Sequence, residues 1–189
     1  MEAEIALDGV NPKAVWFVSD PHFDHKNIIK YCYRPFDDVE IMNKVILRNW
    51  NDTIAVNDLV FFLGDMAFGR NSRQPKWWLK ELNGNIYYFK GSHDDGIYPG
   101  CNEDLSIRVL RVLDLATVTF QNIVFGLVHD PANWPAKACT WLIHGHHHSN
   151  HPVDYPLINY AKHRINLSME LTGYMPVSLS KLLEWVEVK

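Results

Sequence analysis

Residues 140–151 read TWLIHGHHHSNH and place four imidazoles within five positions after a short apolar run. The run Trp141–Ile143 predicts the end of a buried strand, because short runs of apolar residues are typical of strands covered on both faces. Side chains alternate along an extended chain, so His146 and His148 are expected on one side and His147 on the other. The pattern predicts two ligands directed at one point.

The composition is that of a globular protein, with 47% hydrophobic and 21% charged residues among 189. It predicts one well-buried domain that spans residues 1–189. No apolar stretch approaches the roughly 18 residues that cross a bilayer, and the start MEAEIALDGV lacks the apolar segment of a secretory signal. The three cysteines have no CxxC spacing, which argues against a disulfide framework or a thiolate zinc site. We therefore expect a cytoplasmic protein with no membrane partner.

Charge and histidine content narrow the possible partners. The net charge of −4 and the sequence pI near 6.2 provide no bulk attraction to nucleic acid, so strong duplex binding is not expected. Ten histidines are present, and half of them lie between positions 144 and 151. Because histidine is the commonest metal ligand and the usual proton carrier at neutral pH, this enrichment indicates a metal or acid–base site.

One arrangement recurs along the chain: an apolar, strand-like run ends abruptly in Gly, Asp or His. The runs are residues 14–18, 59–63, 86–89, 123–128 and 141–143. Helical spacing at residues 39–50 and 75–82 separates the first three runs, which predicts an α/β fold with substantial parallel pairing. Residues 107–128 are typical of consecutive strands and a second, more mixed sheet, and residues 177–186 of a short closing helix.

The residues after these runs form a candidate metal site, because ligands of open α/β sheets bind outside the carboxyl ends of the strands. A single Asp there is commonly a turn or cap residue, but caps do not require His. A carboxylate–imidazole mixture suits Mn, Fe, Ni or Zn more than Mg or Ca, and six ligands suit two neighbouring ions. The six candidates are Asp20, His22, Asp65, His129, His146 and His148.

Taken in order, the motifs resemble the five signature blocks of the calcineurin-like metallophosphoesterase superfamily, over nearly the whole chain. The similarity is to small, single-domain prokaryotic and phage members. It implies an α/β sandwich of two mixed β-sheets flanked by helices, in agreement with the strand and helix pattern. The blocks are Asp20-x-His22, Gly64-Asp65, Gly91-Ser92-His93-Asp94, His129 and Gly145-His146-x-His148.

The resemblance implies a role for each motif residue. Asp20, His22 and His148 would bind the first of two divalent transition-metal ions, and His129 and His146 the second. Two dications about 3.5–4 Å apart would lower the pKa of a bridging water, supply hydroxide near neutral pH and bind phosphate oxygens. The implied catalytic residues are Asp65, which would bridge the ions, and His93, which would be the general acid beside the leaving group.

The third block departs from the family pattern at Ser92, where members normally have an Asn whose carbonyl oxygen ligates the second metal. A neutral hydroxyl is shorter and is a poorer ligand than an amide oxygen. Ser92 therefore remains a candidate ligand of the second ion, and its presence predicts either a weakened second site or a water that fills the gap.

Candidates for other roles lie near these blocks. His25, Asn27 and Arg34 follow the first block and are candidate substrate contacts, since Arg can bind phosphate in bidentate fashion. Asp94 and His144 are expected to support the site by hydrogen bonding.

The resulting functional hypothesis is a two-metal phosphoesterase with a phosphoester substrate, a nucleotide among the candidates, and with diesters favoured over monoesters. One alternative is a catalytically weakened scaffold of the same fold that acts through partner binding, for which Ser92 is the only support. Another is a nuclease acting on DNA or RNA, against which the negative charge counts. The oligomeric state stays open.

Overall fold

Two β-sheets and four α-helices form the framework of the described parts of the chain, residues 1–94 and 108–187 of a computed structural model. The strands are β1 (Glu2–Ala6), β2 (Val15–Val18), β3 (Leu59–Phe62), β4 (Asn85–Phe89), β5 (Val109–Leu113), β6 (Leu115–Phe120), β7 (Ile123–Val128), β8 (Trp141–His144), β9 (Ile158–Asn159), β10 (Arg164–Asn166) and β11 (Val177–Ser178). The helices are α1 (Ile28–Tyr31), α2 (Val39–Thr53), α3 (Pro75–Glu81) and α4 (Leu179–Glu187).

The first sheet has the strand order β11-β2-β3-β4-β5. Strands β2 to β5 run parallel, as the strand–helix alternation predicts, and β11 pairs antiparallel with β2. Phe17, Phe61 and Tyr87 are register partners and stack with ring centroids 5.1 and 5.3 Å apart. Such cross-strand aromatic contacts stabilise the register of the pairing.

The second sheet has the order β1-β6-β7-β8-β10-β9 and is mixed. A hairpin joins β6 and β7 antiparallel, whereas β7, β8 and β10 are mutually parallel. The predicted consecutive strands are present, but they divide between the sheets: β5 ends the first sheet and β6 lies within the second. The chain crosses between the sheets at Asp114, and the predicted α/β sandwich of two mixed sheets is confirmed.

Successive side chains of a strand point to opposite faces of the sheet, and this alternation creates two hydrophobic layers. On β3, Val60 and Phe62 belong to the layer covered by α2 and α3, while Phe61 and the following Leu63 belong to the layer between the two sheets. Because both faces of β3 are covered, its sequence is a continuous apolar run instead of an alternating one.

The three predicted helices are present with shifted ends, and the short helix α1 was not predicted. Helix α2 continues three residues beyond the predicted end, and its N-cap Asp38 accepts a hydrogen bond from Ile41 N at 2.8 Å. The closing helix begins at Leu179, two residues later than expected, because Val177 and Ser178 pair with β2 instead. No helix in the described ranges has the length and apolar character that crossing a membrane requires.

The carboxyl ends of six strands, three from each sheet, meet at one edge. Within the first sheet, Asp20 N donates to Gly64 O after β2 and β3. Within the second, Gly145 N donates to His129 O after β8 and β7. A bridge between Ser19 and Ser168 joins the end of β2 to the end of β10. Polar residues that follow both sheets are thereby placed side by side.

Replacing the fully buried Trp50 of α2 by Ala should lower the free energy of unfolding by about 3–5 kcal/mol. The indole packs against Phe62 and its Nε1 donates to Asn83 O at 2.9 Å, so both packing and a hydrogen bond are lost. Urea unfolding followed by circular dichroism measures the change. Ile41→Ala on the exposed face of the same helix should shift it by no more than about 0.5 kcal/mol, and equal losses would contradict the assignment of the core.

Candidate metal centre

The six predicted ligands lie together as two adjoining groups. The first ligand group is Asp20, His22 and His148, and the second ligand group is Asp65, His129 and His146. In each group one potential ligand atom per residue lies within 4.8 Å of the others. Carboxylate and imidazole donors at this spacing can surround a first-row divalent cation.

Asp65 lies between the two groups. Its Oδ2 is 3.4 Å from His22 Nε2 of the first group and 3.4 Å from His129 Nε2 of the second. Its other oxygen, Oδ1, accepts a hydrogen bond from His93 N at 2.9 Å. Oδ2 therefore faces both ligand groups, while Oδ1 holds the backbone of the loop after β4.

Hydrogen bonds to the outer ring nitrogens turn the imidazoles toward the centre. His129 Nδ1 lies 2.7 Å from Leu63 O, and His148 Nδ1 lies 3.2 Å from both carboxylate oxygens of Glu170. Because a nitrogen that donates outward leaves its partner nitrogen as the acceptor, Nε2 of each ring faces the site as a potential ligand.

The fit to a cation is tested by His22. Its Nε2 is buried and has no hydrogen-bond partner, although carboxylate oxygens of Asp65 and Asp20 lie 3.4 and 3.9 Å away. A buried polar atom without a partner is uncommon in folded proteins and requires an explanation. A divalent ion between His22 and the carboxylates of Asp20 and Asp65 would give this nitrogen a partner, so the residues fit a metal.

Asp20 is held by donors from three segments. Ser19 Oγ donates to Oδ2 at 2.6 Å, Ser168 Oγ at 3.0 Å, and His146 N lies 3.1 Å from both oxygens. Gly145 permits this approach, since a Cβ there would lie 2.1 Å from Asp20 Oδ2. The contacts fix the carboxylate with Oδ1 facing His22 and His148.

Five of the six candidate ligands have left-handed backbone conformations, which residues other than Gly rarely adopt. Such conformations each cost of order 1–3 kcal/mol and collect at functional sites. The single exception is His129. The φ angles are 57° at Asp20, 50° at His22, 58° at Asp65, 71° at His146 and 51° at His148.

Asp94 supports the centre, in line with its predicted role. The buried carboxylate accepts hydrogen bonds from Asp65 N at 2.8 Å, Met66 N at 2.9 Å and Gly91 N at 2.7 Å. Burial raises the pKa of Asp94 above its ordinary value. The side chain ties the loop after β3 to the loop after β4, which sets the position of Asp65 relative to His93.

The electrostatics of the centre are dominated by imidazole–carboxylate pairs. Burial opposes protonation of His129, but the hydrogen bond to Asp65 and the nearby Asp20 raise its pKa to about 9. Burial likewise opposes protonation of His148, but Cys32, Glu170 and Asp20 raise its pKa to about 11. In the absence of a cation these rings are the positive partners of the buried carboxylates, a role that a metal ion would take over.

The predicted acid His93 lies at the rim of the centre. Its partly buried ring is 5.6 Å from that of His22 and 4.1 Å from that of Phe68. It faces a cavity of about 940 Å³, hereafter the His93 cleft, which His25 and Asn27 also line. Two of the three predicted substrate contacts therefore line the same cleft as His93.

Arg34, the third predicted substrate contact, lies elsewhere. It is buried, and its guanidinium donates to Glu170 Oε1 at 2.7 Å, to Pro21 O at 2.7 Å and to Asp20 O at 2.9 Å. With all three nitrogens engaged inside the protein, Arg34 is not available to a substrate in the His93 cleft. This placement favours a role in orienting Glu170 and the Asp20 loop.

Ser92 and His144 complete the set of predicted residues. Ser92 is exposed, and its Oγ lies 3.5 Å from His146 Nδ1, beside the second ligand group. His144 is buried, and its Nδ1 lies 2.9 Å from Gly145 O, where it supports the turn between β8 and His146. His147 stacks on Tyr155 with ring centroids 3.4 Å apart, as expected for a side chain outside the ligand groups.

Sequence reasoning missed Glu170, Ser168 and Phe68. Glu170 orients His148 and accepts from Arg34, and its pKa is lowered to about 2, because these two partners outweigh the opposing effect of burial. Ser168 donates to Asp20. Both follow β10, which is only three residues long. With Ile165 as its single apolar residue, this strand has no distinctive sequence pattern, so the polar residues after it did not stand out.

No family model matches the chain. The uncharacterized protein MJ1445 of Methanocaldococcus jannaschii is 37% identical over 177 residues, which cover 93% of this chain and 92% of that protein. The gene 66 protein of Mycobacterium phage L5 is 30% identical over 81 residues, 42% of this chain and 39% of that protein.

A solved structure shares the fold. The protein of unknown function AQ665 from Aquifex aeolicus superposes with a TM-score of 0.65 at 24% identity, over 90% of this chain and 98% of that one. YfcE, a phosphoesterase from E. coli, is more distant, with a TM-score of 0.40 at 15% identity over 82% and 77% of the two chains. A similarity that low carries no functional conclusion. The extended sequence identity does establish kinship: the chain belongs to the same protein family as MJ1445 of M. jannaschii.

Proposed function

We propose that the protein is a metal-dependent phosphoesterase that hydrolyses phosphodiesters in preference to phosphomonoesters. The observation that carries the proposal is the position of Asp65 Oδ2, 3.4 Å from an imidazole nitrogen of each ligand group. A carboxylate shared between two clusters of nitrogen and oxygen donors is the arrangement that a two-metal hydrolase requires.

The residues would divide between two divalent ions, with Mn, Fe, Ni and Zn as candidates. Asp20, His22 and His148 would hold the first ion, and His129 and His146 the second, with Asp65 shared. Ser92 is the candidate additional ligand of the second ion. When bound, the ions supply the charge that lowers the pKa of a water nucleophile and binds phosphate oxygens.

His93 would donate a proton to the leaving oxygen. The Asp65 carboxylate accepts from His93 N, so the acid and the shared ligand keep a fixed separation. The Phe68 ring lies against the imidazole, and His93 also lines the cleft. Histidine is the side chain that most often acts as a general acid or base in enzymes.

The preference for diesters follows from the shape of the site. The His93 cleft, at about 940 Å³, begins at the proposed acid and extends away from the ligand groups. It is at the upper end of the range of roughly 300–1,000 Å³ for small-molecule pockets. A phosphomonoester with a small alcohol would leave much of this space filled with water, whereas a diester places an organic group on each side of the phosphorus.

The function is tested with bis-p-nitrophenyl phosphate and p-nitrophenyl phosphate in the presence of Mn, Ni, Zn or Mg. We expect faster hydrolysis of the diester and higher rates with the transition metals than with Mg. His93→Ala should lower kcat by about 10²–10⁴-fold because the leaving oxygen loses its proton donor, while the metal content of the protein is kept.

His163→Ala, a change at an exposed histidine of the β9–β10 turn, is the matched control and should keep full activity. Absence of hydrolysis of both substrates with every metal would refute the enzyme proposal and favour the scaffold alternative. An active His93→Ala variant would refute only the role of the acid.

Glu170→Gln should weaken metal binding by about 10–100-fold, as expected when the hydrogen-bond partner of a ligating histidine is altered. The amide keeps the size of the side chain but loses the charge that orients His148. Isothermal titration with Mn(II) measures the affinity. Glu184→Gln, at an exposed carboxylate of α4, is the control, and equal affinities in the two variants would show that Glu170 does not support the metal site.

Ser92→Asn should increase affinity for the second Mn(II) ion and raise kcat, because an amide oxygen reaches further and ligates better than a neutral hydroxyl. The exposed position of Ser92 beside His146 leaves room for the longer side chain. Mn(II) titration and diester hydrolysis are compared among the wild-type chain, the Ser92→Asn variant and the Ser92→Ala variant. Identical affinities and rates for the wild-type chain and Ser92→Asn would remove the proposed weakness of the second site.

A further inference from the structure

We propose that the His93 cleft binds the base of a nucleotide-containing phosphodiester, with Phe68 as the stacking surface. This inference rests on the proposed phosphoesterase function and specifies its substrate class. It places a recognition element for a planar aromatic group immediately beside the proposed general acid.

The principal observation is the exposure of Phe68. This large apolar side chain is 41% exposed, although its ring lies 4.1 Å from that of His93 and 4.8 Å from that of His25. The ring thus contacts both histidines while a large part of the side chain remains exposed in the cleft. An aromatic surface at the mouth of a polar cleft offers stacking area for a planar ligand.

The segment that carries Phe68 is anchored to the loop after β2. Phe68 N donates to Phe23 O at 3.1 Å, and Phe23 forms a bridge with Ala67. Five residues further on, Arg73 N and Nε donate to Asp24 at 2.8 and 3.0 Å. Since both ends of the segment are held, the stacking surface is organised before a ligand arrives, which reduces the entropy lost on binding.

Arg73 is itself fixed by aromatic contacts. Its guanidinium lies 4.2 Å from the ring centroid of the buried Trp78 and 4.6 Å from that of Trp77. These cation–π contacts and the ion pair with Asp24 hold Arg73 at the wall of the cleft. Arg73 therefore neutralises Asp24, whose carboxylate would otherwise repel an anionic substrate.

The exposed polar residues of the cleft suit the rest of a nucleotide. Lys26 and Arg70 supply two cations, and neither forms a salt bridge with any residue in the described ranges. Asn71 and Gln74 supply amides that can both donate to and accept from base edges or sugar hydroxyls. Glu40 also lines the cleft, with its carboxylate 3.9 Å from Arg73 Nη2.

The combination favours a nucleotide over a lipid. A lipid substrate would require a continuous apolar lining for its hydrocarbon chains, whereas charged and amide side chains form much of the lining of this cleft around Phe68. Cationic side chains along the phosphates and an aromatic platform for the base are the usual means of binding single-stranded nucleotides.

The test compares two diesters of equal charge on the Mn-loaded protein: adenylyl-(3′→5′)-adenosine and glycerophosphoglycerol, which lacks a base. We expect kcat/KM to be higher for the dinucleotide. Phe68→Ala should lower the ratio of the two kcat/KM values by about ten-fold, the lower part of the range for loss of one stacked base. Phe68→Trp should restore the ratio, and Leu110→Ala, at an exposed apolar residue of β5, should keep it.

A wild-type ratio near one, or a ratio unchanged by Phe68→Ala, would overturn the proposal. Equal losses on both substrates, confined to kcat, would show that Phe68 only positions His93 and would overturn it as well. If neither diester is hydrolysed, the proposed function fails, and equilibrium dialysis with AMP and glycerol phosphate decides the inference. Tighter binding of AMP that Phe68→Ala abolishes supports the base site, and equal binding of the two refutes it.

The cations are tested separately by the double variant Lys26→Gln and Arg70→Gln. Loss of two positive charges at the cleft should raise KM for the dinucleotide and reduce its dependence on salt concentration, since screened attraction to the anionic substrate is removed. An unchanged KM and salt dependence would exclude Lys26 and Arg70 from substrate binding and confine recognition to the aromatic surface.

Discussion

The carboxylate of Asp65 is the point on which both halves of the centre depend. Its two oxygens have different partners, since Oδ2 faces an imidazole of each ligand group and Oδ1 accepts from His93 N. The backbone of Asp65 is held in turn by Asp94, which also binds Gly91 N. The buried carboxylates of Asp65 and Asp94 therefore position the loops after β3 and β4. The second sheet contributes His129, whose Nε2 faces Asp65.

Holding these groups together has a conformational cost, and contacts with the surrounding residues offset part of it. Five candidate ligands are in the left-handed region, and several buried imidazoles and carboxylates share a small volume. Hydrogen bonds from Ser19 and Ser168 to Asp20, and from Arg34 to Glu170, offset part of that cost. Strain and buried polarity of this kind are retained where precise placement of groups matters more than stability.

The centre is closed on one side and open on the other. Arg34, Glu170 and Ser168 enclose the first ligand group from the protein interior, while His93 and Phe68 stand at the cleft. This asymmetry agrees with the proposed function, in which the enclosed residues would hold the ligand geometry and the rim residues would meet a substrate. Because the relative MJ1445 is uncharacterized, the functional proposal rests on this arrangement in the chain itself.

The sequence by itself determined strands β2, β3 and β4 of the first sheet, helices α2 and α3, and the six candidate ligands. Those features are local, since an apolar run, its length and the polar residue that ends it are all readable within a few positions. Only the tertiary structure decided which residues serve those ligands. Arg34 meets Glu170 across 136 positions, and the exposure of Phe68 depends on packing between two loops. The local sequence pattern does not predict contacts between residues so far apart, because they form only when the carboxyl ends of two sheets are brought to one edge.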